Sequence, residues 1–429
     1  MKITQAEQMK ARLIVLIGAI LILIASFFIA PKIFALIKSG TEKQLASALG
    51  ATSTTTKVGQ EEDSLKNGVK HLPTPEPLKA IYMSSCVVGT KDFRASLVKI
   101  ADTTEVNAIV IDVKDFSGTL SYEPTDPNLK HAWDSAKCGA RDMREFLQEL
   151  HSKNIYAIAR VTVFQDPHFT KLHPELAVKS IATGAPWKDR KGLSFLDVGG
   201  KETWDYTIAI ARDAYNIGFD EINFDYIRFP SDGNMKDAKY TLSTGSKADQ
   251  LEKFFKYLSA EMKKSNIPTS ADLFGMTTTN NDDLNIGQVL ERTLPYFDYV
   301  APMVYPSHYP KNFNGWKNPN TVPYQLIHFV MGRGAERAEA TSTAVATLDN
   351  TKIDLGTSTL AGQAKKVLYT HEPQNKLKLR TWIQDFDYGG NYDVAEVKAQ
   401  IKATYDVGLT SWMIWAPSNK YTIGALVKD

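Results

Sequence analysis

The sequence predicts an α/β protein: a (β/α)8 TIM barrel preceded by an N-terminal transmembrane helix and a flexible tether. Three observations predict it. From Lys79 onward, short β-branched runs alternate with helical patterns, which is how parallel strands joined by crossover helices read in sequence. Several of those runs end on charged residues, and the strand tips of a parallel barrel converge on one mouth. Near the N-terminus, Leu13 to Ala30 is an uncharged apolar run, and about 18 such residues can span a bilayer as a helix. An open doubly wound sheet is the alternative. It would carry a glycine-rich phosphate turn after its first strand, and Ser84-Ser85-Cys86-Val87-Val88-Gly89 does not fit one.

Residues 1–38 form the cytoplasmic tip and the span. Lys2, Lys10 and Arg12 precede the apolar run, which places the N-terminus inside the cell and the bulk of the chain outside. Ala25-Ser26-Phe27-Phe28-Ile29-Ala30-Pro31 is a poor cleavage site, so an uncleaved, single-pass signal anchor is expected. Residues 39–78 read as a tether. Ala51 to Thr56 is low in complexity, Glu61-Glu62-Asp63 is charged, and Pro73, Pro75 and Pro77 stiffen the approach to the next domain.

Residues 79–429 carry the barrel. The expected strands are 80–83, 108–113, 155–161, 221–224, 269–274, 299–304, 379–384 and 411–415. Helices are expected near 93–103, 142–152, 202–216, 247–264, 286–294 and 394–405, with a long loop bearing Trp187 and Asp197. On the fourth helix Leu251, Phe254, Phe255 and Leu258 share one face. Residues from about 305 to 362 have no such pattern and read as an insertion.

A formal net charge of +2 and the absence of a basic stripe interleaved with aromatics exclude a nucleic-acid reading. No Cys/His spacing resembles a metal site, and no cofactor is expected. His168 and His173 read as ordinary polar loop residues. The two cysteines, Cys86 and Cys138, follow the first two strands. Either they form a disulfide across the mouth or they are two free buried thiols; a bridge requires Cα atoms within about 7 Å.

The mouth is expected to collect Asp112 or Asp115, Arg160, Asp225, Arg228, Asp272, Tyr305, Gln384, Asp385 and Trp415. Glycoside hydrolysis needs this kind of inventory: one carboxylate attacks the anomeric carbon or activates water, and a second protonates the leaving oxygen. Asp225 is the expected nucleophile or base, kept ionised by Arg228 close behind it. Asp272 is the first choice for the acid, because its apolar neighbours would raise its pKa by desolvation. Asp385 is the second choice. Asp112, Lys114, Asp115 and Arg160 would bind substrate hydroxyls or hold the nucleophile. Arg228, Tyr305, Gln384 and Trp415 complete the substrate side. The faces of Trp187, Trp382, Trp415 and Tyr305 suit sugar rings, although Trp382 and Trp412 read better as core.

The run Phe219-Asp220-Glu221-Ile222-Asn223-Phe224-Asp225-Tyr226-Ile227-Arg228-Phe229-Pro230-Ser231-Asp232-Gly233 resembles the signature of the bacterial "putative glycosyl hydrolase" domain family, itself distantly similar to alpha-amylase-type barrels. Ile111 to Asp115 with Gly118, Ala159 to Phe164, Ala301 to Tyr309, Trp382 to Phe386 and Trp412 to Trp415 support the likeness. The resemblance implies a barrel with a carbohydrate-related role. It puts the nucleophile of amylase-type barrels at Asp225. Asp272 stands on the fifth strand, where that type carries a Glu, and Asn223 stands where it carries an Arg.

The expectation is therefore a membrane-anchored, extracytoplasmic barrel acting on a cell-envelope or extracellular polysaccharide. The rival is a catalytically silent barrel that only binds such a polymer.

Overall fold

The computed structural model describes residues 69–347 and 365–426. Eight parallel strands close into a barrel, each hydrogen-bonded to its sequence neighbours and the last to the first. They are β1 (Lys79–Met83), β2 (Ala108–Lys114), β3 (Tyr156–Thr162), β4 (Glu221–Asp225), β5 (Thr269–Phe274), β6 (Tyr299–Met303), β7 (Thr381–Gln384) and β8 (Trp412–Trp415). The outer helices are α1 (Lys91–Thr103), α2 (Met143–Ser152), α3 (Lys201–Ile217), α4 (Lys247–Lys264), α5 (Leu290–Thr293), α6 (Pro323–Glu339) and α7 (Val394–Asp406).

The strands are buried on both faces, as strands between a barrel core and a helical shell must be. Alternate residues take the two sides. Ile109, Ile111, Ile222, Phe224, Ala271 and Leu273 pack outward against the helices. Ala80, Tyr82, Val110, Ile158, Ala301, Trp382 and Met413 fill the interior. Low in the barrel, Arg380 bonds Glu221 at 2.7 Å and lies over the Tyr299 ring.

Two expectations are corrected. The insertion expected at about 305–362 contains α6, which packs on α7 and is the crossover helix from β6 to β7. Pro323 at its first turn starts it, and Leu326, Ile327, Val330, Met331 and Ala338 form its buried face. Gly332 and Gly334 interrupt its sequence pattern, because glycine lowers helix propensity. The helix expected at 286–294 shrinks to α5, since Leu284, Asn285 and Gly287 take positive φ. The Asp282 and Asp283 carboxylates accept from the backbone N–H groups of Leu284 and Asn285 and hold that turn.

Residues 69–78, the end of the expected tether, lie along the N-terminal end of the barrel. The Leu72 N–H donates to Asp220 at 2.7 Å, Thr74 bonds Tyr156, and Tyr299 donates to Glu76. The expected span falls outside the described residues. Among those described, no helix is long and apolar enough to cross a membrane.

Cys86 and Cys138 form a disulfide with Cα atoms 4.6 Å apart, which joins the loop after β1 to the loop after β2. The bridge closes a 52-residue separation, a length that corresponds to about 4 kcal/mol of denatured-state entropy. A Cys86→Ser/Cys138→Ser double variant is expected to lose about 2–4 kcal/mol in urea unfolding. Wild-type protein, denatured without reductant, should release no free thiol.

Candidate functional site

The site is built around the tip of β4. Side chains alternate along the strand, so Glu221, Asn223 and Asp225 point inward while Ile222 and Phe224 join the outer core. The strand ends at Tyr226, a non-glycine residue at φ 51. A bulky side chain rarely accepts that left-handed conformation, and such strain collects at functional sites. The turn brings the Tyr226 N–H onto Asp225 Oδ1 at 2.5 Å. The Tyr226 side chain packs with the Val178, Trp187 and Phe195 cluster of the neighbouring loop.

Across the barrel interior, one guanidinium faces three carboxylates. Arg160 donates from Nη1 to Asp112 at 2.5 Å and from Nη2 to Asp225, and its Nε lies 3.5 Å from Asp272 Oδ2. Tyr82 donates its hydroxyl to the other oxygen of Asp112. Because Phe224 pairs in register with Ala271, Asp225 and Asp272 stand side by side one residue further on. Adjacent strands lie about 4.8 Å apart. Asp272 Oδ1 accepts from Asn223 at 2.9 Å and from the Trp382 indole at 2.8 Å. Its Oδ2 is buried with no hydrogen-bond partner. Burial raises the Asp272 pKa to about 7, and the Asp225 charge adds to the rise against Arg160, Asn223 and Trp382. Burial likewise raises Asp112, opposed by Arg160. Asp225 is 2% exposed and Asp272 1%, so the pair lies beneath Arg160 rather than open to solvent.

One wall is aromatic. The Tyr305 and Trp415 ring centroids are 5.0 Å apart, and Phe386 and His308 meet Trp415 at 5.1 and 6.3 Å. Tyr305 is buried, and its hydroxyl pKa is raised by desolvation and by the Asp272 charge.

Other candidate residues are not brought to the carboxylate pair. Lys114 turns away at a register shift in β2, and its buried ammonium bonds Asp166 at 2.7 Å and the Thr162 carbonyl. Asp115 accepts from Ser85 and Ser117 and shapes its own loop. Arg228 does not pair with Asp225. It lies over the Tyr226 ring and donates to the Phe229 carbonyl and to Ser231; the cation on Asp225 is Arg160. Gln384 is buried, accepting from the Ser307 N–H and donating to the Phe386 carbonyl. Asp385 accepts twice from Thr422, and burial raises its pKa. Trp187 is buried and donates to the Asn234 carbonyl, so its face is not offered to a ligand. Trp382 is core, as read, yet its N–H serves the site. Tyr82 and Asn223 were not anticipated as members; inward parity on β1 and β4 is the signal that marks them. Asp197 proves to be the tie between two loops, accepting from Thr241, Leu242 and Gly199. Among the described residues no group of three His, Cys, Asp or Glu could hold a metal ion.

The profile of the family described as "putative glycosyl hydrolase domain" matches residues 80–348 and 352–421. Among solved structures, the chain is similar to a hypothetical protein from Ruminiclostridium thermocellum at 36% identity, covering 45% of this chain and 96% of that one, with a TM-score of 0.39. It is also similar to the PgaB (BpsB) glycoside hydrolase domain from Bordetella bronchiseptica at 11% identity, covering 82% and 99%, with a TM-score of 0.53. The second likeness is one of fold. No curated protein matches the chain.

Proposed function

The chain belongs to the "putative glycosyl hydrolase domain" family, and from that membership we propose that its barrel hydrolyses glycosidic bonds in a cell-envelope or extracellular polysaccharide by a two-carboxylate mechanism. The observation that carries this reading is the side-by-side placement of Asp225 and Asp272 at adjacent strand tips, in unequal surroundings. Two carboxyl groups whose environments separate their protonation supply an acid and a base together. Asp225, against the Arg160 guanidinium, is the nucleophile or base. Asp272, buried and raised to about 7, is the acid. Its Oδ2, which faces Arg160 at 3.5 Å but has no hydrogen-bond partner, would carry the proton, while Oδ1 is fixed by Asn223 and Trp382. The proton passes to the leaving glycosidic oxygen as the C–O bond breaks, and Asp225 or its activated water closes on the anomeric carbon.

The test uses pH and leaving group together. The acid form of Asp272 is lost as pH rises through about 7, so kcat/KM is expected to fall about tenfold per unit above that point. An aryl glycoside with a good leaving group needs little protonation. Asp272→Asn should therefore retain cleavage of it while losing cleavage of the natural polymer about 100-fold or more. Equal losses on both substrates would remove Asp272 from the acid role.

Anchoring by residues 13–30 and an extracytoplasmic position belong to the same proposal. The disulfide supports them, since such bonds persist in oxidising compartments. A second reading, a barrel that binds polysaccharide without cleaving it, is favoured by the burial of both carboxylates under Arg160. It predicts saturable polymer binding with no product released and no change on Asp225→Asn.

A further inference from the structure

The aromatic wall does not end at Trp415. On β7, Trp382 donates to Asp272, and Gln384 pairs in register with Trp415. Two residues beyond that strand comes Phe386, half-buried, whose ring stands edge-on to Trp415 at 5.1 Å. Two residues further, Tyr388 is 67% exposed. The Cα atoms of Phe386 and Tyr388 are no more than about 7 Å apart. The loop after β7 thus leads from the partner of the proposed acid to a ring in solvent.

A single exposed aromatic is ordinary on a protein surface. This one is set apart by the way its loop is held. Gln384 Nε2 donates to the Phe386 carbonyl at 2.9 Å. The Tyr392 N–H donates to Asp387 at 2.8 Å, and Asn318 donates to the Gly389 carbonyl at 3.0 Å. Gly389 lies at φ 73, and a Cβ there would stand 2.8 Å from the Asn320 amide nitrogen. A Cβ on Gly390 would meet the Asn320 carbonyl oxygen at 3.0 Å. Only glycines allow so close an approach to the segment after β6. Tyr388 is therefore carried between two fixed points, Phe386 on Trp415 and the glycine pair on Asn320. A backbone ordered in advance loses little freedom when a ligand binds.

We infer that Tyr388 is an outer sugar subsite of the carboxylate site, and that the ligand is an extended, β-linked polymer of gluco-configured rings. The inference rests on the glycan-directed reading of the barrel and deepens it by substrate class. Rings whose substituents are equatorial present faces of axial C–H groups, and such a face covers the flat apolar body of a tyrosine while the phenol hydroxyl stays wet. Trp415 and Phe386 come between Asp272 and Tyr388 along the wall. One ring does not reach both ends, so a chain is required.

The test is calorimetry on the full-length chain carrying Asp225→Asn, which keeps turnover out of the binding signal. Titrants are the dimer and the hexamer of the cello-oligosaccharides and of the chito-oligosaccharides. In at least one series the hexamer is expected to bind at least about tenfold tighter than the dimer. The series that shows this assigns the substituent at the sugar's second carbon. Tyr388→Ala, at an exposed position where misfolding is not expected, should weaken the hexamer about tenfold and leave the dimer within about twofold. Tyr388→Phe keeps the ring and should hold the hexamer within about threefold of the unsubstituted residue. A merely structural role would move dimer and hexamer together. Equal affinity for dimer and hexamer, no binding of either series, or a length advantage that survives Tyr388→Ala would overturn the subsite. Product release by the wild-type chain is scored separately. A chain that binds the hexamer through Tyr388 yet cleaves nothing would sink the hydrolase reading alone; one that cleaves polymer with no length effect at Tyr388 would sink the subsite alone.

Discussion

Asp225→Asn is expected to lower kcat for polysaccharide cleavage at least about 1,000-fold, which is about 4 kcal/mol of lost transition-state stabilisation. The amide keeps the size of the side chain and can still accept from the Tyr226 N–H at Oδ1. It cannot carry charge against Arg160, nor attack an anomeric carbon or deprotonate water. The substitution also removes the charge that helps hold the Asp272 proton in place. The Asp272 pKa should therefore fall, and the alkaline decline of any residual activity should begin at a lower pH. That shift separates loss of a catalytic group from local disorder, which would scatter the profile rather than move it in one direction. The loss is expected in kcat and kcat/KM alike, as for an interaction made only in the transition state. Activity within tenfold of wild type would exclude Asp225 as nucleophile or base, and the carboxylate mechanism with it.

The parts legible in the sequence are those where burial is symmetrical. Strands covered on both faces, such as Ala108–Lys114, read as continuous β-branched runs, and the helices between them show one apolar face. α6 was hidden because two glycines break a pattern whose buried positions are otherwise regular. The site was legible as an inventory but not as a set of partners. Arg228 is three residues from Asp225 in the chain, and that nearness suggested a pair. The left-handed turn at Tyr226 instead carries Arg228 onto the tyrosine ring. Arg160 comes from the neighbouring strand, where it pairs in register with Asn223, and its long side chain reaches one level up to Asp225. Lys114 was misplaced by a register shift between it and Asp112: a single irregularity moves a side chain to a different neighbourhood. Strand parity can be read from sequence; bulges and left-handed turns that redirect a tip cannot, because several residue types tolerate them.

Removing Arg160 should have the largest effect on stability. The guanidinium is the shared counter-ion of Asp112, Asp225 and Asp272, all almost fully buried. Arg160→Met keeps the stem and deletes the charge, leaving three carboxyl groups facing one another in the barrel interior. Breaking a buried pair by deleting one partner typically costs about 3–5 kcal/mol, so a loss in that range is expected from urea unfolding at pH 8. The sign of its pH dependence follows from linkage. Arg160 opposes the burial that raises Asp112 and Asp272, so without it both folded-state pKa values climb further above the unfolded ones. A carboxyl group with a raised folded pKa binds its proton more tightly in the folded state. Its stability contribution is therefore lost as pH rises from the unfolded pKa, near 4, through the folded one. The gap between wild type and Arg160→Met should accordingly be smallest near pH 4 to 5 and widen through pH 7 and beyond. Arg160→Lys should recover only part of the loss, since one ammonium cannot meet three carboxylates with the geometry of a planar fork. A penalty below about 1 kcal/mol, or one that does not grow between pH 5 and pH 8, would mean that the three acids are not held by this cation. The assignment of Asp225 as the charged member and Asp272 as the proton carrier would then have no electrostatic basis.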